Sequence, residues 1–300
     1  MSTLLITGAN GLLGTKLLQR ALLAGHRVVG LSRGAQTFRG EGQVPWHQVD
    51  IRDGVGVLQV VREAGPDVIV HTAAITDVDA CELRPGDAWE TNLMGTGHVV
   101  LGALEMEAYL VFLSSDYVFS GEAGPYRESD EPGPARSVYG RTKLAGEALV
   151  LDRLPGAGVA RTSLLYGQAA HTRLNFVSWL VTQLRQGRKA TAVTDQVGSP
   201  TLADNLADMV LAMVKRQTAG VVHATGPEWF TRYEYAIRVA RAFKLDEGLI
   251  QEGRTRDLKQ PAPRPRHSGL LVERAEKELG VRPVGLDEGL ARVRAEMPGG

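Results

Sequence analysis

Tyr139 and Lys143 stand four residues apart in Tyr139-Gly140-Arg141-Thr142-Lys143, a spacing that puts both side chains on one face of a helix. A phenol has an ordinary pKa near ~10, and a neighbouring ammonium favours the phenolate, pulling that value toward the working range. Such a pair can pass a proton to or from an oxygen, which is half of what a ketone needs to become an alcohol. The same spacing occurs in many helices where the tyrosine only packs and the lysine is only solvated. Its position carries the argument here. It follows Leu113-Ser114-Ser115-Asp116-Tyr117-Val118-Phe119, which reads as the end of a buried strand, the place where parallel-sheet enzymes gather their ligands. The hydroxyl of Ser115 can reach the same oxygen as Tyr139; the plainer reading of Ser115 is a strand-end cap. Ser115, Tyr139 and Lys143 are therefore the candidate catalytic residues.

The other half of a reduction is a hydride. Thr3–Gly14 runs TLLITGANGLLG: a short apolar strand, a glycine-rich turn and then a helical pattern. Gly8, Gly11 and Gly14 allow a tight turn and close approach of a pyrophosphate, and the N–H groups of the helix start give that anion donors and positive partial charge. Gly8, Asn10, Gly11, Leu12, Leu13 and Gly14 are thus candidates for dinucleotide binding. A glycine pattern alone is weak evidence, but the strand–turn–helix setting is the required one. A bound nicotinamide would add its positive ring to the pull on Tyr139, and Lys143 would hold its ribose. After the second strand the chain reads Leu31-Ser32-Arg33-Gly34, with no acid before Glu41. Sites selective for NAD place a carboxylate there, whereas an arginine suits a 2′-phosphate. Ser32 and Arg33 therefore point to NADPH, with NADH as the second choice; a merely solvated arginine is the alternative.

The elements that must hold these residues follow from apolar patterning. Leu4–Thr7, Arg27–Leu31, Val44–Val49, Val68–His71 and Tyr109–Ser114 read as buried strands. Gly11–Ala24, Gly54–Ala64 and Ala88–Glu107 read as the helices between them. That alternation predicts right-handed βαβ units in a parallel sheet covered on both faces. Beyond it, Val138–Leu151, Leu174–Arg188, Leu202–Lys215, Arg232–Lys244 and Leu286–Glu296 read as helices. Gly158–Arg161 and Gly220–Ala224 read as strands, and Gln260–His267 as a proline-broken loop. The expected fold is α/β, a doubly wound parallel sheet of Rossmann type. Residues 1–163 form the NADP-binding core, and 164–300 mainly a smaller, mixed substrate-binding region interleaved with it.

Composition removes other classes. Lys+Arg and Asp+Glu are 34 each in 300 residues, so there is no basic field for nucleic acid. The single Cys81 rules out an internal disulfide framework. His26, His47, His98, His171 and His223 show no ligand spacing, so no metal site is expected. Asp77, Asp79 and Glu82 suit a solvated helix start. The first residues lack the basic, long apolar pattern of a leader, and no run approaches a membrane span. A cytoplasmic protein is expected, without nucleic-acid or membrane partners and with room for a homodimer.

The G-x-x-G-x-x-G spacing resembles the short-chain dehydrogenase/reductases. The longer motifs resemble their extended branch, the dTDP-4-dehydrorhamnose reductase family, over nearly the whole chain. SSDYVFSG (Ser114–Gly121) and SVYGRTKLAGE (Ser137–Glu147) resemble its catalytic segments. RTSLLYG (Arg161–Gly167), TDQVGSPT (Thr194–Thr201) and RPRHS (Arg264–Ser268) resemble its substrate-side segments. The resemblance implies hydride transfer from NADPH to C4 of a dTDP-4-dehydro-6-deoxyhexose, dTDP-4-dehydro-L-rhamnose going to dTDP-L-rhamnose. It places Asp50 and Ile51 at the adenine, and His71-Thr72-Ala73-Ala74 and Asn92 along the cofactor. Asp116 falls at the sugar, and Arg264 and Arg266 at the nucleotide diphosphate. Three positions depart from the pattern: Leu164 where a tryptophan is common, His267 for an asparagine, and Leu271 for an Asp or Asn. The first leaves the sugar open. Two further functions stay open: reduction of another ketone, and a non-catalytic NADP-binding regulatory subunit like that of methionine adenosyltransferase, which occurs in the same branch.

Overall fold

The computed structural model describes residues 1–40, 44–169, 172 and 174–297; Glu41 and His171 lie outside them. The first half alternates as β1 (Thr3–Thr7), α1 (Leu12–Leu23), β2 (Arg27–Ser32), β3 (Trp46–Gln48), α2 (Gly54–Ala64) and β4 (Val68–His71). There follow α3 (Val78–Leu83), α4 (Pro85–Trp89), α5 (Gly95–Glu105), β5 (Tyr109–Ser115), α6 (Val138–Arg153) and β6 (Gly158–Thr162). The second half holds β7 (Leu165–Tyr166), α7 (Phe176–Arg185), β8 (Ala190–Val193), β9 (Val197–Gly198), β10 (Thr201–Leu202), α8 (Ala203–Arg216) and β11 (Gly220–His223). The chain ends through β12 (Phe230–Thr231), α9 (Arg232–Ala242), β13 (Ile250–Gly253), α10 (Glu273–Leu279) and α11 (Leu286–Glu296).

Seven strands form one parallel sheet in the order β11-β6-β5-β4-β1-β2-β3. The chain winds outward from β1 to β3, then returns to β4 on the other side of β1. The carboxyl ends of β1 and β4 thus flank the switch point, where such sheets open a crevice. One face is covered by α1 and α8 through Leu13, Leu17, Leu206, Val210 and Met213. The other is covered by α2 and α5 through Val57, Val61, Val99 and Ala103. A third core, with Leu180, Tyr235, Val239 and Leu290, knits α7, α9 and α11 together. Segment 203–223 folds back onto the main sheet, with β11 added beside β6.

The sheet and its helices follow the apolar pattern, with local differences. The third strand is only Trp46–Gln48. The long helix expected over Ala88–Glu107 starts at Pro85 and is interrupted by a π turn at Glu90–Met94. Asp77 caps α3 by accepting from the Ala80 N–H at 3.0 Å. Asp79 and Glu82 are not free in solvent as expected: Asp79 pairs with Arg264 at 2.5 Å, and Glu82 accepts from the Val138 N–H at 2.9 Å. The acids face packed elements rather than water.

Behind the sheet's carboxyl edge lies one buried ion pair. Arg161 on β6 donates through Nε and Nη2 to the two oxygens of Glu147 on α6, at 2.9 and 2.7 Å, and both side chains are nearly excluded from water. Ser114 on β5 donates to the same carboxylate. A buried charge left without its partner is costly, so Glu147→Ala is expected to lower unfolding free energy by about 3–5 kcal/mol. Urea denaturation measures it, and a loss below ~1 kcal/mol would count against the pair's importance.

Candidate active site

The glycine turn is built for contact. Gly8 has φ +68°, and a Cβ there would stand 2.7 Å from both the Ala73 nitrogen and Thr72 Oγ1. A Cβ on Gly14 would stand 2.3 Å from the Gly8 oxygen, so only glycine lets α1 pack this close to β1. Gly11 caps α1 without a side-chain hydrogen bond, which leaves the first N–H groups of the helix open. Thr72 Oγ1 donates to the Thr7 carbonyl at 2.6 Å, and Thr7 Oγ1 meets His71 Nδ1 at 2.7 Å; these bonds pin the end of β4 beside the turn. The resulting cleft has a volume of about 770 Å³.

The cleft wall includes Gly8, Asn10, Gly11, Leu12, Leu13 and Gly14. Along one side follow Ser32, Arg33, Asp50 and Ile51, and along the floor Thr72, Ala73 and Ala74. At the far end are Ser115, Asp116, Tyr139, Lys143 and Leu164. Arg33 is exposed. Asp50 is bound by Arg52 at 2.8 Å, which holds its carboxyl below the usual range.

Asn92 is not on that wall. It is fully buried, accepting from the Ile75 N–H at 2.7 Å and donating to the Ile75 carbonyl and Thr142 Oγ1, each at 3.1 Å. The expectation that Asn92 lines the cofactor is thus corrected: both ends of its amide are used inside the protein, bracing the strand-end segment against α6.

Tyr139 and Ser115 line the same cleft, close enough for Ser115 to favour ionisation of the phenol, and Ser137 caps α6 by accepting from the Gly140 N–H at 3.1 Å. Burial pushes the Tyr139 phenol up rather than down. The expected lowering by Lys143 is not found among the protein's own groups. Desolvation dominates, the Asp116 charge opposes ionisation, and Lys143 is itself brought down to about 7 by burial. Lys143 Nζ lies 4.0 Å over the Phe112 ring and makes no ion pair among the described residues; Glu147, one turn on, partly offsets the cost. Tyr139 therefore holds its proton, the form a proton donor needs.

Asp116 is buried, and both of its carboxylate oxygens are engaged. It accepts from Ser115 at 2.9 Å, Ser163 at 2.8 Å and Ser268 at 2.5 Å. Burial raises its carboxyl against the pull of these hydroxyls. It thus joins three segments far apart in sequence, which its neighbourhood in the sequence does not reveal. Leu164, after β6, lines the cleft with φ +44°, a left-handed backbone unusual for a bulky residue. A Cβ on Gly198 would stand 3.0 Å from its Cδ1.

Neither loop arginine is among the residues that line the cleft, though Arg264 lies against its wall residue Tyr117. Arg264 forks onto Asp79 at 2.5 and 2.7 Å, and its Nη1 also donates to the Ala262 carbonyl at 2.7 Å. Arg266 is exposed, its carbonyl accepting from the Val197 N–H at 2.7 Å. A guanidinium whose fork is filled by a carboxylate cannot also fork onto a diphosphate, which corrects the expectation for Arg264; Arg266 is simply not among the residues that line the cleft. The cleft has a different arginine. Arg232 lines it, has no ion-pair partner among the described residues, and its charge favours ionisation of Asp116 and Tyr117. In the sequence it reads only as the first residue of a helix, Arg232–Lys244, and nothing in its spacing marks it. Among the described residues no group of His, Cys, Asp and Glu could hold a metal, and no helix is long and apolar enough to cross a membrane.

Comparison with known proteins places this geometry. The family described as the RmlD substrate binding domain matches residues 1–298. A probable low-salt glycan biosynthesis reductase of Haloferax volcanii is 35% identical, the match covering 97% of this chain and 96% of that one. A dTDP-4-dehydrorhamnose reductase of Streptomyces griseus is 36% identical over 93% and 88%. The crystal structure of dTDP-4-dehydrorhamnose reductase from Bacillus anthracis in complex with NADP superimposes with a TM-score of 0.89 at 27% identity, covering 99% and 100%.

The buried lysine makes a stability prediction. With Lys143 near 7 in the folded protein against an ordinary 10.5, the cost of burying its charge is full below about pH 7. It shrinks as pH rises and is gone above 10.5. Lys143→Met is therefore expected to melt higher than the parent at low pH, with the gain fading as pH rises. Thermal melts across that range check it; a gain that grows with pH would reverse the sign and refute it.

Proposed function

The chain belongs to the RmlD substrate binding domain family, and from that premise we propose that it is a reductase acting with NADPH on the C4 ketone of a dTDP-4-dehydro-6-deoxyhexose, dTDP-4-dehydro-L-rhamnose giving dTDP-L-rhamnose. The observation that supports this most is convergence. Ser115, Tyr139 and Lys143 share one cleft with the Gly8–Gly14 cradle, so a proton donor and a dinucleotide seat meet at one carbonyl position.

NADPH, when bound, supplies the hydride. The cradle suits it, since Gly11 leaves the start of α1 without a side-chain cap and that helix start lines the cleft. The open N–H groups of α1 take the pyrophosphate, and Asp50 and Ile51 border the adenine. Thr72, Ala73 and Ala74 line the floor, and Lys143 holds the nicotinamide ribose. Tyr139, kept protonated by burial, gives its proton to the ketone oxygen. Ser115 stands beside that oxygen; its one hydroxyl proton, donated to Asp116 at 2.9 Å, turns to the ketone oxygen when the substrate binds. Asp116 thus acts through the serines. Arg232 supplies the cation for the substrate diphosphate, because it faces the cleft and Arg264 does not. Leu164 borders the sugar with less area than an aromatic ring. A non-catalytic NADP-binding subunit would not need a protonated tyrosine and an anchored serine aimed at one point.

Two variants test the assignment with dTDP-4-dehydro-L-rhamnose. Tyr139→Phe is expected to lower kcat by at least roughly 10²-fold with NADPH affinity little changed; near-normal turnover would remove Tyr139 as donor. Arg232→Ala is expected to raise KM for the nucleotide sugar by about ten- to a hundredfold, the scale of a charged hydrogen bond, leaving KM for NADPH alone. An unchanged sugar KM would send the diphosphate elsewhere.

A further inference from the structure

Asn10 sits in the glycine turn and lines the cleft, yet its side-chain amide is spent on the protein. An asparagine amide has two N–H donors and one oxygen with two lone pairs. Here Nδ2 donates to Ser32 Oγ at 2.9 Å and to the Ala35 carbonyl at 2.8 Å. Oδ1 accepts from the Thr37 N–H at 3.0 Å and from Thr37 Oγ1 at 2.8 Å. All four bonds go to one short segment, Ser32 at the end of β2 and the irregular stretch after it. Nothing remains for a direct contact to a cofactor.

That segment carries Arg33. On one side of it Ser32 Oγ accepts from the Gly34 N–H at 3.2 Å as well as from Asn10. On the other, Trp46 Nε1 of β3 donates to the Gly34 carbonyl at 3.2 Å. Arg33 is thus an exposed guanidinium held between two anchored residues, without an ion-pair partner among the described residues. After the second strand of such a fold an arginine can meet the 2′-phosphate of NADPH. Fixing the backbone beforehand lowers the ordering cost of binding.

We infer that Asn10 is a positioning residue for cofactor choice: it ties the phosphate turn to segment 32–37 so that Arg33 is presented to the 2′-phosphate. The inference rests on the reading of NADPH as cofactor. It separates the two halves of one glycine motif. Gly8, Gly11 and Gly14 serve the pyrophosphate, which NADH and NADPH share, while Asn10 serves the phosphate that only NADPH has.

Dissociation constants for NADPH and NADH, measured by titration calorimetry without substrate, test it. Asn10→Ala is expected to loosen NADPH by about tenfold and NADH by less than about twofold. Thr37→Val, which removes one of the four bonds and leaves the turn intact, is expected to move NADPH in the same direction by less. Arg33→Ala should itself loosen NADPH selectively, and Asn10→Ala added to it should do little more, since the two act through one contact. Equal loosening of both cofactors by Asn10→Ala and no effect of Thr37→Val would make Asn10 a support of the turn alone and overturn the inference. Additive losses in the double variant would overturn it as well. A parent protein that binds NADPH and NADH equally would instead sink the reading of the cofactor, and the inference with it.

Discussion

The carboxylate of Glu147 is the point on which the site hangs. It accepts from Arg161 on β6 and Ser114 on β5, while its own helix carries Lys143 one turn earlier and Tyr139 one turn before that. Ser115 follows Ser114 in the strand, and Ser163 and Leu164 follow Arg161 within three residues. One side chain therefore fixes the relative height of the three elements that bring hydroxyl, phenol and ammonium together. Buried pairs of this kind add little net stability compared with apolar packing, but they are costly to break and they define a single register. Here register matters, because a shift of α6 along β5 would part Tyr139 from Ser115.

The charges around that point settle which group carries a proton. Burial alone would make Tyr139 a poor acid and Lys143 a weak cation, and both effects are present. For a reduction the first is useful, since the phenol arrives protonated. Asp116 adds to it by opposing the phenolate. Its three serine partners let a carboxylate survive at full burial, and they extend its reach from β5 to the C-terminal loop through Ser268. Arg264 and Asp79 clip that loop to α3 from the other side. The C-terminal segment is thereby part of the cleft's frame even where it does not line the cleft.

Much of this was legible in the sequence because it is local. The strand–turn–helix of Thr3–Gly14, the four-residue spacing of Tyr139 and Lys143, and the alternation of apolar runs all express periods of one or two turns. The seven-stranded sheet follows from them. What was not legible depends on partners far along the chain. Arg264 reads as a loop cation until Asp79, 185 positions earlier, fills its fork. Asp79 for the same reason reads as solvated. Asn92 belongs to the right helix but turns inward at the π turn, and no propensity announces that turn. Arg232 hides as an ordinary helix start. A lowering of the Tyr139 pKa by Lys143 follows from proximity alone; burial of the phenol outweighs it and shifts Tyr139 the other way. The strands β7, β9, β10 and β12, two residues each, are too short to leave a pattern.

On the proposed reading, this cleft moves a hydride to a sugar ketone. NADPH carrying deuterium at the transferable position of its nicotinamide, incubated with the enzyme and dTDP-4-dehydro-L-rhamnose, tests it directly by mass and NMR analysis of the product. Deuterium is expected on C4 of the sugar, with oxidation of NADPH in step with product. NADPH that binds but stays reduced, with this and every other dTDP-4-dehydro sugar, would contradict it and make the cleft a binding site without chemistry.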